Sequence, residues 1–385
     1  MSIQQIDEMR DLINRETKGP VLSVFCRTDP RDPSSRSETP GWMVALRNGL
    51  RDAAAGYEGD HESQQQIAKL SKAAEKRVTG ASAVERGRSV AYFLSACGTI
   101  DSFHTFQIPV REDYASIEDG AVIWPMVDVL DRGQRTGLVL ISHDHIRVLE
   151  WWDGQVSDLE ASTYDLELGD WRDYRGTARP NGSRGGSAVS NVSAYENRVE
   201  EWQARFIKAA SKAVAETAAD LKFDRLVIAA EGDLCGEFID ALPNETKDMV
   251  QARVSTNLID MTPADVADHL DPHLRDAWRT QVNEVGNQAL ARVQAADRGA
   301  GGPDEVLLAL TEGRVEHLLI DPYLKAKDQT LSDGARQAIE DAGESSLQEA
   351  LVELAIRTDA KVSSASVEEV PALAEAGGAL ALLRY

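Results

Sequence analysis

Between Gly137 and Leu159 the chain strings together three short apolar runs, Gly137–Ser142, Ile146–Trp152 and Val156–Leu159, with turns at His143-Asp144 and Asp153-Gly154. Links this short permit only chain reversal. Asp-Gly supplies two residues that tolerate the positive φ a type I′ turn requires. A three-stranded antiparallel meander is predicted. The chain then changes character over Arg172–Ser193, which has no apolar periodicity. Gly176, Gly182, Gly185 and Gly186 leave its backbone free to take unusual φ or to pass close to another backbone. Regular spacing returns with Tyr195, Val199, Trp202, Phe206, Ala210, Ala213 and Val214, which predict the buried face of a helix over Ala194–Ala219. Leu226–Ala230 predicts a short buried strand.

The flanking regions alternate between strand-like and helix-like patterns. Before Pro125, Val21–Cys26, Ser89–Cys97 and His104–Pro109 read as strands, with helices from Gly41 and over Glu62–Val78. After Pro272, helices are expected over Leu274–Ala296, Asp304–Glu312 and Ser346–Thr358, separated by a Gly/Pro break at Asp297–Pro303. Strands are expected at His317–Ile320, Lys361–Ala365 and Ala379–Leu383. The fold class is therefore α/β (α+β), in three domains. These are a small N-terminal α/β domain (1–125), a middle domain (126–268) whose sheet resembles that of ribonuclease H, and a C-terminal α-β-α sandwich (269–385). The middle domain carries the protruding basic, glycine-rich loop (172–193).

Composition narrows the function. At 385 residues with a net charge of -23, the chain is unsuited to coating nucleic acid, because phosphate affinity depends on Lys and Arg. Binding RNA through one basic projection stays open. No apolar run approaches the roughly 18 residues of a membrane helix, and the acidic start lacks a secretory pattern. Cys26, Cys97 and Cys235 are scattered in apolar surroundings and read as buried thiols. A cytoplasmic monomer is expected. Neither a phosphate-binding Gly-rich lysine motif nor a Gly-x-Ser-x-Gly elbow occurs, and no cofactor is implied. His143 and His145 want a third ligand before they could hold a metal, so turn chemistry is the better account. Trp151-Trp152 reads as a packing pair, and Glu231-Gly232-Asp233 as a turn.

The loop remains. Arg172, Arg175, Arg179 and Arg184 face only Asp173 there, the reverse of the chain's overall charge. A long segment without its own core is either functional or a plain surface excursion, and its sign favours a function directed at an anion. Its centre is Arg184-Gly185-Gly186-Ser187, placed between the meander and the long helix.

This layout resembles the archaeo-eukaryotic class I release factor superfamily, which includes Pelota, the Vms/Ankzf-type peptidyl-tRNA hydrolases and Balon-like hibernation factors. The likeness rests on the Gly-Gly loop before a long helix, on the closing Gly377-Gly378-Ala379-Leu380-Ala381-Leu382-Leu383-Arg384-Tyr385, and on the order of three domains. The resemblance implies a translation factor that binds rRNA in the ribosomal A site and meets peptidyl-tRNA, with delivery by an elongation-factor-like GTPase. It implies RNA-binding roles for Arg172, Arg175, Arg179 and Arg184, and a catalytic position for Gly185, Gly186 and Ser187. Ser187 stands where the family has glutamine: it keeps a backbone N–H but lacks the amide that orders water. Two readings follow: occupancy of the A site in ribosome rescue or hibernation, or peptidyl-tRNA hydrolysis. The first region has no Asn-Ile-Lys-Ser-like segment for reading stop codons.

Overall fold

The computed structural model describes residues 3–59, 61–143, 145–165, 188–325, 331–342 and 346–385. The chain is mixed α/β and divides into two compact units: Met1–Gln134 with Trp278–Tyr385, and Arg135–Ala277.

The first unit opens on an antiparallel sheet of β1 (Val21–Arg27), β2 (Ser89–Ser95), β3 (Asp101–Phe106) and β4 (Tyr114–Glu118), in the order β3-β2-β1-β4. Alternation along β1 sends Leu22, Val24 and Cys26 to one face. There they pack with Val90 and Tyr92 beneath Trp42, Leu46 and Leu50 of helix Gly41–Gly56, and beneath Ile67, Leu70 and Ala74 of helix His61–Gly80. The other face is also apolar, with Phe25 and Phe93 meeting edge to face at 5.6 Å. β3 ends at Phe106, short of the expected Pro109, and β4 was not anticipated because YASIE alternates too weakly to stand out. Cys97 corrects the expectation of three buried thiols. It is exposed just beyond β2, while Cys26 and Cys235 are buried.

The second unit is built on the meander β5 (Thr136–Ile141), β6 (His145–Trp152) and β7 (Gln155–Asp165). Asp153 and Gly154 turn between β6 and β7 with φ of 52° and 81°, as the Asp-Gly step requires. β8 (Arg225–Ala230) adds parallel to β5, and β9 (Val250–Val254) parallel to β8, giving the order β7-β6-β5-β8-β9. A parallel neighbour needs a long crossover, and helix Ala188–Asp220 supplies it. Phe206, Ile207, Ala210 and Val214 of that helix share a core with Val139, Ile141, Ile228 and Ala230. The helix begins at Ala188, six residues before the expected Ala194; Val189, Ser190, Asn191 and Val192 are weak helix formers that hide this start in the sequence. Trp202, expected on the buried face, is 37 % exposed and Phe206 is buried, while the side chains of Tyr195 and Val199 lie outside the described ones.

The C-terminal part of the first unit adds β10 (Gly299–Gly301), β11 (Val315–Ile320), β12 (Lys361–Ser364) and β13 (Ala379–Leu383), ordered β10-β13-β11-β12. Only β11 and β12 pair in parallel. Trp278, Val282 and Ala289, on helix Pro263–Gln294, pack with Leu319, Val370 and Leu380. That helix starts at Pro263 rather than Leu274, with Pro272 inside it. β10 occupies part of the expected Gly/Pro break. The closing motif explains its glycines: Gly377 and Gly378 enter β13 at φ 64° and 94°, a region other residues resist.

Polar groups buried inside this unit join its two sequence segments. Helix Trp124–Arg132 carries Asp128 and Asp131, exposed by only 2 % and 1 %. Asp131 accepts hydrogen bonds from the Trp278 indole (3.0 Å), Gln134 (3.0 Å), the Ser363 hydroxyl (3.2 Å) and the Ser364 backbone (3.3 Å). The Ser363 hydroxyl also lies 3.0 Å from His317 Nε2. Asp128 takes Arg111 and Arg132, each at 2.7 Å. Glu349, on helix Leu347–Arg357, accepts the backbone N–H groups of Ile123 (2.8 Å) and Trp124 (3.0 Å) at the start of the first helix.

Candidate functional site

Arg172, Arg175, Arg179, Arg184, Gly185, Gly186 and Ser187 all lie outside the described residues. What leads into that segment and out of it is described. β7 ends at Asp165, and helix Ala188–Asp220 begins directly after Ser187. Its first turn carries no acidic residue.

β7 is held to β6 in two registers. Trp152↔Gln155 through Leu149↔Asp158 form the first, and Arg147↔Thr163 through His145↔Asp165 the second, with an irregularity between them. Arg147 stands at the change of register. Its guanidinium grips both oxygens of Asp158 at 2.7 Å and donates to the carbonyls of Ile259 (3.1 Å) and Met261 (2.6 Å). One planar fork thereby ties β6, the first half of β7 and the segment beyond β9. Nothing in the amino-acid pattern singled out Arg147; the one available signal was an arginine in an otherwise apolar strand run.

Two more arginines fix the root of the meander. Arg225, 1 % exposed at the start of β8, donates its Nε to Thr136 Oγ1 at 2.9 Å and lies 5.9 Å from the Trp151 ring. Arg135 pairs with Glu150, takes the Asp224 carboxylate on its backbone N–H (3.0 Å) and sits 5.1 Å over Trp152. The tryptophan pair is therefore a packing surface backed by guanidinium groups. His143 and His145 are exposed at a turn closed by Ser142, whose N–H donates to the His145 carbonyl at 2.8 Å. Glu231 and Asp233 are exposed around Gly232, whose φ is 58°. Among the described residues no group of three His, Cys, Asp or Glu side chains is placed to hold a metal ion. No helix among them is long and apolar enough to cross a membrane.

Residues 134–270 match the family described as bacterial archaeo-eukaryotic release factor family 5. Over that segment the chain is similar to the bacterial archaeo-eukaryotic release factors. The matched span coincides closely with the second unit and contains the whole basic loop. Among curated proteins, none matches the sequence. Solved structures similar to this chain include archaeal translation termination factor aRF1, at 15% identity over 100% of this chain and 99% of that one, with a TM-score of 0.25. Dom34 of S. cerevisiae, a translation termination-like factor, is 12% identical over 77% and 79%, with a TM-score of 0.40. A model of ribosome-bound archaeal Pelota and ABCE1 is matched at 13% identity over 100% and 95%, also with a TM-score of 0.40. Likeness at this level transfers no individual residue.

Proposed function

We propose that this chain is a ribosome-associated factor that enters the A site and carries Gly185 and Gly186 toward the peptidyl transferase centre, in ribosome rescue or hibernation. The observation that carries the reading is the family match over 134–270, which includes the loop where a chain of net charge -23 concentrates Arg172, Arg175, Arg179 and Arg184. Arginine forks pair with backbone phosphate, and consecutive glycines admit the backbone to a crowded RNA surface. Residues 1–125, 126–268 and 269–385 would act as three parts of a cytoplasmic monomer. An elongation-factor-like GTPase is its proposed deliverer, and peptidyl-tRNA the partner at the loop tip.

A second reading, peptidyl-tRNA hydrolysis, is favoured by the retained Gly185-Gly186 pair and the backbone N–H of Ser187. Ser187 lacks a long amide to position water, and losing one positioned donor at an acyl-transfer site lowers the rate by about 10²–10³. Occupancy is accordingly preferred.

Ribosome co-sedimentation and peptidyl-tRNA release on ribosome–nascent-chain complexes test both readings. Occupancy predicts salt-sensitive co-sedimentation without release, weakened when Arg175, Arg179 and Arg184 are replaced by Glu. Release that is lost in Gly186→Ala would instead establish the hydrolase. Absence of ribosome binding at low ionic strength would sink both.

A further inference from the structure

Within the first unit, away from the loop, a groove of about 500 Å³ is lined by Arg27, Arg31, Arg88, Arg111 and Arg132. Asp29 and Asp32 are the acidic members of the lining. Five arginines lining one open volume run against the sign of a chain of net charge -23. We propose that this groove is a binding site for phosphate groups.

The arginines are braced from behind. Arg111 bonds Asp128 at 2.7 Å, Glu369 at 2.8 Å and the Ser364 carbonyl at 3.3 Å. Arg132 bonds the second oxygen of Asp128 at 2.7 Å and the Pro109 carbonyl at 3.0 Å. Neither Asp128 nor Glu369 lines the groove. Arg88 is held by Asp29 at 2.6 Å and by the Gln107 carbonyl at 3.1 Å. Arg27 donates to the carbonyls of Val110 (3.1 Å) and Arg111. Four long side chains are thereby fixed before any ligand arrives, so an incoming anion does not have to order them. Arg31, with 52 % of its side chain exposed, stands at the rim.

The lining selects among anions. A guanidinium fork matches the paired oxygens of phosphate, and several forks around one volume suit a group with more than one charge or two adjacent groups. The remaining lining residues, Pro33, Pro109 and Val110, include no aromatic ring on which a base could stack. Recognition is therefore of phosphate and sugar rather than of base identity. Asp32 at the rim offers an acceptor to a neighbouring hydroxyl. An RNA phosphodiester and a free phosphorylated compound share this chemistry.

The site does not depend on the ribosome reading, and its test is arranged to keep the two apart. The full chain carrying Glu at Arg175, Arg179 and Arg184 removes the loop's contribution. It is titrated at low salt with inorganic pyrophosphate by calorimetry and with labelled single-stranded oligouridine by fluorescence anisotropy. Saturable binding of at least one probe is expected. Charge-assisted hydrogen bonds of this kind make Arg27→Gln with Arg31→Ala weaken binding roughly tenfold. Asp32→Asn, which removes a rim charge and keeps an acceptor, should strengthen it about threefold. Binding of oligouridine alone assigns the groove to an RNA backbone, and binding of pyrophosphate alone to a free phosphorylated compound. No saturation with either probe, or affinities that ignore all three substitutions while the protein stays folded, would overturn the proposal.

Discussion

Glu349 accepts the backbone N–H of Trp124 at 3.0 Å from a position with no solvent exposure, and it takes the N–H of Ile123 with its other oxygen. A carboxyl on one sequence segment thus caps a helix on another. Burial pushes its pKa up from 4.5 to about 8, against the two N–H groups that favour the carboxylate. The folded state therefore holds a proton that the unfolded chain releases near 4.5. The stabilisation linked to that proton is complete below about 4.5 and is lost as pH rises through about 8. Glu349→Gln should flatten this loss, so its urea midpoint relative to wild type improves between pH 5 and pH 8. A difference that stays constant with pH would contradict the assignment. Glu349→Ala, which strands two buried donors, should cost about 2–5 kcal/mol at either pH.

Arg147 should matter more than its partner Asp158. The Asp158 side chain is 46 % exposed, and a solvent-screened pair contributes little, so Asp158→Asn should cost less than about 1 kcal/mol. Arg147→Ala also strips two backbone carbonyls of a charged donor, and about 1–3 kcal/mol is expected. Denaturant melts of the two variants would rank them. Equal losses would mean that the ion pair, and not the carbonyl contacts, dominates.

Gly299→Ala should be among the most damaging single-methyl additions. A Cβ there would lie 2.6 Å from Val293 N and 2.8 Å from Arg292 C, both backbone atoms that cannot rotate away. Overpacking of this kind costs about 1–3 kcal/mol, here at the upper end. Thermal unfolding would report it. A neutral result would show that β10 can lift from the helix at no expense.

Cys97 should label first. Hydrogen bonding from Thr99 draws its thiol down to about 6, whereas burial pushes Cys26 and Cys235 up. Iodoacetamide at pH 7 is expected to modify Cys97 well before the other two, because the thiolate is the nucleophile. Peptide mapping after brief labelling would check it, and uniform labelling of all three would refute it.

Much of the second unit was legible in its sequence. The Asp153-Gly154 turn and the apolar runs of β5, β6 and β8 need only local rules, because period and turn chemistry are written within a few residues. The first unit was harder to read, and the reason is physical. Asp128, Asp131 and Glu349 are indistinguishable in the chain from dozens of solvated carboxylates; their burial depends on partners more than 200 residues away, such as Ser364 and Ile123. The helix start at Ala188 is hidden by the weak helix formers Val189–Val192, and the start at Pro263 by Pro272, which sits inside the helix and reads as its boundary. The Arg27–Arg132 groove left no local signature either, since its five arginines are spread over more than 100 positions.

The interleaving of the first unit bears on how the protein is made. Residues 1–134 obtain the indole of Trp278 only after residues 135–277 have been synthesised, and the cap from Glu349 later still. While it is still being translated, the N-terminal sheet must therefore persist with Asp131 and the start of helix Trp124–Arg132 lacking those long-range partners. Arg135–Ala277, self-contained, can settle behind it. Truncation ahead of Glu349 would accordingly strand the Ile123 and Trp124 N–H groups more than 200 residues upstream.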